Sequence, residues 1–171
     1  MSITFNKIGY GIVEPNHLSA PRDGGVWAQL PAAANITTLE NGMFVKYDYA
    51  NGVCNFSGEG PWMLVFNEEK LYDERYQMHR DYAQKVTDYY DGKMYPRVFR
   101  MSVGDIFTTN MFAKNTTLKV GDKVVPGTDG ILALVGANES PKGVIFQVVK
   151  EYTLPDGITP AVKIRIIADA Q

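Results

Sequence analysis

The rhythm of turns between residues 98 and 167 constrains this chain more than any other feature of its sequence. Two near-identical strings, SVGDIF at 102–107 and KVGDKV at 119–124, set a glycine and an aspartate between short apolar runs. Glycine accepts the positive φ of a tight turn, and aspartate bonds nearby backbone N–H groups. Val103 and Val120 each end an apolar run, and strands are expected to restart at Ile106 and Val124. Further turn signals stand at Pro126-Gly127, Asp129-Gly130 and Gly136-Ala137-Asn138. Short strands with turns this frequent predict a mainly β fold, a small antiparallel β-barrel or sandwich. Asp105 and Asp122 are expected to serve the backbone of their turns rather than a metal or a phosphate.

The same stretch ends in a hairpin. Phe146, Val148 and Tyr152 share one parity, which Lys150 interrupts, while Val162, Ile164 and Ile166 share a face opposite Lys163 and Arg165. That is the period of two of a half-buried strand. Leu154-Pro155-Asp156-Gly157 lies between the two runs and predicts that they fold back antiparallel.

Upstream the chain is less regular. Residues 1–35 carry glycine and proline too densely for a long helix or strand, yet Ile3, Phe5, Ile8, Tyr10, Ile12, Val13, Val26, Trp27 and Leu30 are spread along them. An extended segment this apolar is expected to lie on something. The residues alone leave open whether that is the chain's own β-domain, residues 36–171, or a neighbouring subunit that it reaches as an N-terminal arm. ITTL and MFVKYDY flank Glu40-Asn41-Gly42 and predict a hairpin, and Asn51-Gly52 predicts the next turn. Gly58 and Gly60 do not make a dinucleotide fingerprint, because Met63 stands where a third glycine belongs and the strand-like WMLVF follows.

Residues 67–92 read as an insertion. They are charged and tyrosine-rich, and Tyr72, Tyr76, Ala83, Val86 and Tyr90 recur at helical spacing behind Asn67 as a cap. Tyrosine and aspartate are mediocre helix formers, so an amphipathic helix and an extended loop are both compatible with the string. Its tyrosines suit a protein interface, and a helix that covers one end of the β-domain is the alternative.

Composition narrows the function classes. At 171 residues the chain is one domain that buries roughly 70% of its unfolded surface and needs no staples. A net charge of −2 argues against binding driven by phosphate neutralisation, so no nucleic-acid partner is expected. No run approaches a membrane span, and the first residues lack an apolar core of signal-peptide length. Cys54 stands alone, which excludes an internal disulfide and a cysteine-rich zinc site. The sequons at Asn35, Asn55, Asn115 and Asn138 are read as turn asparagines. His17 and His79 have no metal-ligand spacing, and Gly-x-Ser-x-Gly is absent. Paired acids such as Glu68 and Glu69 fit a solvated face. No catalytic residue, cofactor or metal is therefore assigned.

The strings YPRVFRMSVGDIFTTNMF, LKVGDKVVPGTDGIL and IFQVVKEYTLPDGITPAVKIRII together resemble the small β-barrel auxiliary head proteins of tailed bacteriophages, the decoration or cement proteins, with KLYDERY as a weaker extension. The resemblance implies a structural virion protein. It would bind the outer capsid surface, assemble in the host cytoplasm, and have the major capsid protein and neighbouring copies of itself as partners, with a homotrimer as one arrangement on the lattice. Phe5, Tyr10, Trp27, Tyr72, Tyr76, Tyr82, Tyr89 and Arg97 are the candidate interface residues on this reading. The alternative is a phage tail or surface β-domain that binds carbohydrate or a host receptor through Trp27, Trp62 and the tyrosines. An enzyme built on carboxylates or a metal is a third reading.

Overall fold

The computed structural model describes residues 2–5, 9–67, 83–136, 139, 141, 143–155 and 157–170. Among these, the strands in chain order are β1 (Ile3–Thr4), β2 (Val13–His17), β3 (Val26–Trp27), β4 (Thr38–Glu40), β5 (Phe44–Asp48), β6 (Val53–Asn55) and β7 (Met63–Val65). They continue with β8 (Ala83–Lys85), β9 (Val98–Phe99), β10 (Ile106–Thr109), β11 (Thr117–Leu118), β12 (Lys123–Pro126), β13 (Leu132–Leu134), β14 (Gly143–Thr153) and β15 (Pro160–Ala170).

The main sheet has six strands in the order β13-β12-β14-β15-β10-β2, every neighbouring pair antiparallel. The expected hairpin β14–β15 is its centre. Val144, Phe146 and Val148 are buried, and so are Val162, Ile164 and Ile166. Lys150 breaks the parity because the register shifts between Val148 and Lys150, where Val149 becomes an extra residue. The bulge turns Lys150 out to solvent.

The two Val-Gly-Asp turns are built alike. In each, the aspartate N–H returns to the carbonyl three residues back, Asp105 to Ser102 at 3.0 Å and Asp122 to Lys119 at 3.1 Å. In each, the carboxylate accepts the N–H of that same residue at 3.0 Å. Gly104 and Gly121 take φ of 99° and 97°, which L side chains rarely adopt. The turns also dock alike. Gly104 and Asp105 exchange hydrogen bonds with Ile166 of β15, and Gly121 and Asp122 do so with Val148 of β14. A local two-fold follows. Exchanging Gln147 with Arg165, which lie opposite each other, carries the pair Phe146–Ile166 onto Ile164–Val148 and the strand β12 onto β10.

The second sheet runs β3-β9-β7-β5-β6 and packs on the first. The sheets do not close into a barrel; of the two expected architectures, the chain adopts the sandwich. Alternate residues of the central strands feed two cores. Phe44, Leu64 and Phe99 join Phe107, Phe146, Val148 and Ile164 between the sheets. Val45, Met63, Val65 and Val98 face the opposite way, into a second core with Ile36, Leu39, Tyr47, Cys54 and Met94. Met63–Val65 is thus buried on both faces, which is why it reads as a continuous apolar run rather than an alternation.

One open expectation is answered and two are corrected. The described residues of 1–35 lie on the chain's own sheets: β2 is the edge of the main sheet, β3 is the edge of the second, and β1 pairs β11. Phe5, Val13 and Ala20 lie in the first core and Ala33 in the second, because apolar residues spaced this widely are best buried by threading past both sheets. The Asn41-Gly42 turn does not close a hairpin. It carries the chain from β4, which pairs β8, to β5, which pairs β6 and β7. A side chain on Gly42 would meet Thr109 Oγ1 and Met111 Cβ at 2.7 and 2.8 Å, so close passage to β10 as well as its φ of 90° selects glycine there. In the expected insertion, residues 68–82 lie outside the described residues. Its remainder is strand β8 and a 3-10 turn at Val86–Asp88, not a helix. Among the described residues Asn67, the expected cap, bonds Asn41 and accepts the Arg97 N–H.

Candidate protein interface

The candidate residues fall into three groups. Phe5 is buried in the first core, its ring 4.5 Å from that of Phe112, so it is withdrawn as an interface residue. An aromatic in an extended segment carried no sequence signal to separate the two outcomes. Tyr72, Tyr76 and Tyr82 lie outside the described residues. Tyr10, Trp27, Tyr89 and Arg97 are half-buried, each held by the chain's own groups.

Two of these meet the short strand β8. Lys85 Nζ donates to the Tyr10 hydroxyl at 3.2 Å and lies 5.4 Å from its ring centroid, and this contact raises the Lys85 pKa. Gln84 Nε2 donates to the Tyr89 hydroxyl at 2.9 Å and to the Tyr95 carbonyl at 3.3 Å. Adjacent strand residues point to opposite faces, so Tyr10 and Tyr89 grip β8 from its two sides. Trp27 packs on the second core 5.6 Å from the Tyr47 ring. The Arg97 guanidinium lies 5.2 Å from the Phe99 ring.

The tyrosines open to solvent are their neighbours. Tyr90 is fully exposed at the end of the 3-10 turn, Tyr95 is 42% exposed, and Tyr49 is 66% exposed after β5. The sequence signal for Tyr90 was the Asp91-Gly92 turn directly behind it, which ends the element and leaves its ring outside. The positions of Tyr90 and Tyr95 place exposed aromatic surface on the segment that leads from β8 to β9.

Titratable groups elsewhere serve the backbone or the core. Asp105 is buried, and besides its own turn it accepts the Ser19 N–H at 3.0 Å and the Ser19 hydroxyl at 2.9 Å, tying the N-terminal segment to the first Val-Gly-Asp turn. Asp122 makes only the turn bond among those described. Cys54 is buried in the second core, and burial pushes its thiol up to about 12, which keeps it protonated and unreactive at neutral pH. Among the described residues no three of His, Cys, Asp and Glu are grouped as metal ligands would be. Asn115 has a φ of 64°, the conformation of a turn asparagine.

Compared with protein-family models, with curated proteins and with solved structures, the chain matches nothing.

Proposed function

We infer that the chain is an auxiliary structural protein of a tailed-phage head that binds the outer capsid lattice and reinforces it. The observation that supports this reading most is the likeness of residues 95–167 to decoration proteins, in a segment that supplies β10, β12, β13, β14 and β15 of the main sheet. The fold suits the role. Two cores bury the two faces of the central strands, which gives a stiff body, and Tyr90 and Tyr95 put exposed aromatic surface on the segment between β8 and β9. Tyrosine is enriched at protein interfaces because its large ring is apolar and its hydroxyl still bonds. On this reading the partners are the major capsid protein and further copies of this chain.

The test is cosedimentation of the purified protein with phage heads prepared without it. Replacing Tyr90 and Tyr95 together by alanine is expected to weaken binding about tenfold or more, as loss of aromatic anchors does. Undiminished binding by that variant would remove this surface from the account. The glycan-binding alternative gains no support from the tryptophans. Trp27 packs on Tyr47, and Trp62 lies beneath Lys46 Nζ at 4.8 Å.

A further inference from the structure

Beyond the tyrosine-bearing segment the molecule has a cleft that this role does not use. It lies between the turn after β5 and the loop 57–60, has a volume of ≈ 360 Å³, and is lined by Tyr47, Asp48, Tyr49, Asn51, Ser57 and Glu59 together with Ala50 and two glycines. Its walls are held from within. The Tyr49 ring meets the buried Tyr47 ring edge-on, with centroids 5.7 Å apart and planes at 84°. Asp48 accepts the Asn51 N–H at 3.1 Å and Asn51 Nδ2 at 2.6 Å, which fixes the turn. Those bonds, the side-chain one foremost, hold the Asp48 carboxyl below its ordinary value. Gly58 and Gly60 close the other wall by lying directly on the Tyr47 carbonyl, where an added Cβ would come within 2.9 and 3.0 Å of the oxygen.

The lining decides what such a cleft accepts. It holds two carboxylates and no lysine, arginine or histidine, so an anionic guest is repelled. Its side-chain polar groups are mainly acceptors: Asp48, Glu59, and the Asn51 carbonyl oxygen left over when Nδ2 turns to Asp48. A sugar hydroxyl brings acceptors as well as a donor and leaves acceptors facing acceptors. A guest with donors alone matches the set, and the two carboxylates favour a cationic one, guanidinium or ammonium, over the neutral indole N–H. The exposed Tyr49 face favours guanidinium, which is planar, stacks on aromatic rings and engages a carboxylate with two parallel donors.

We propose that this cleft is a receptor for an arginine side chain of a protein partner. Tyr49 provides the stacking face and Glu59 the free carboxylate. The proposal depends on the capsid reading only for which protein carries the arginine.

The experiment is a titration of the full chain, followed by backbone amide NMR, with two short peptides that differ only in arginine against citrulline. The arginine peptide is expected to shift amides of residues 47–51 and 57–60 with saturable, salt-sensitive binding. Tyr49→Ala and Glu59→Gln should each weaken it several-fold, Glu59→Gln with the melting temperature unchanged. The citrulline peptide, isosteric but uncharged, should produce no saturable shift. Equal response to the two peptides, no saturable response to either, or retention of full affinity in both variants would overturn the proposal, as would a neutral oligosaccharide shifting the same amides in preference to the arginine peptide. A protein that binds the arginine peptide yet fails to bind heads would retain the cleft and refute the capsid role; the converse result would do the opposite.

Discussion

Asp105 and Asp122 give the sharpest test at the scale of single residues, because their local chemistry is the same and their surroundings differ. Removing the Asp105 carboxylate strands the Ser102 N–H, the Ser19 N–H and the Ser19 hydroxyl, and Ser19 is itself buried. An unsatisfied buried group costs about 1–3 kcal/mol, so Asp105→Ala should destabilise by about 2–4 kcal/mol. Asp122→Ala loses one solvent-exposed turn bond and should cost about 0.5–1 kcal/mol. Urea denaturation of the two variants measures the gap, and equal losses would refute the tie between the first turn and the N-terminal segment. Cys54 carries a second prediction. Its folded thiol titrates at about 12, against an ordinary value of 9.0, so the folded state holds the proton more tightly than the unfolded chain. Stability from this group is complete below pH 9 and is lost as pH rises from 9 toward 12. At pH 8, thiol-specific labelling should therefore proceed only as fast as the protein opens, and rapid stoichiometric labelling of the native protein would contradict the burial.

At the scale of elements, what the sequence made legible was local. Both Val-Gly-Asp turns, the Asn51-Gly52 hairpin and the β14–β15 hairpin follow from residues within a few positions of one another, and all of them form. Partner choice at longer range was not legible. ITTL and MFVKYDY flank a strong hairpin turn, but β4 pairs with β8 more than forty residues on, because β5 finds better burial between β6 and β7. Spacing in residues 67–92 suggested a helix, yet Ala83–Lys85 is a strand, since pairing with β4 outweighs a weak helical preference. The exposed rings were half-legible for the same reason. Tyrosine-rich composition marked residues 67–92, while which rings face solvent depends on tertiary pairing that no window displays. The N-terminal segment gives the matching prediction. Deleting residues 1–34 removes β1, β2 and β3 and takes Phe5, Val13, Ala20 and Ala33 from the two cores. That truncation should abolish cooperative unfolding, read by circular dichroism and amide dispersion. A truncated chain that still folded would restore the arm.

At the scale of the whole molecule, an aromatic cluster lies at the join between the two sheets of the sandwich. Phe44 of the second sheet lies 5.4 Å from Phe146 and 6.5 Å from Phe107 of the main sheet, and the latter two meet edge-to-face at 5.7 Å. Phe44→Ala should cost about 3–5 kcal/mol in thermal or urea unfolding, the range for a buried phenylalanine, and a loss under 1 kcal/mol would mean that the sheets are not joined there. A body this firmly joined can present its exposed tyrosines and its cleft to a partner without rearranging, as the proposed role requires. The most direct test of the proposed capsid role is to count copies of the chain, by quantitative mass spectrometry, in purified particles of the phage proposed to carry it. The account predicts a copy number that scales with the major capsid protein. A handful of copies per particle, or none, would contradict it.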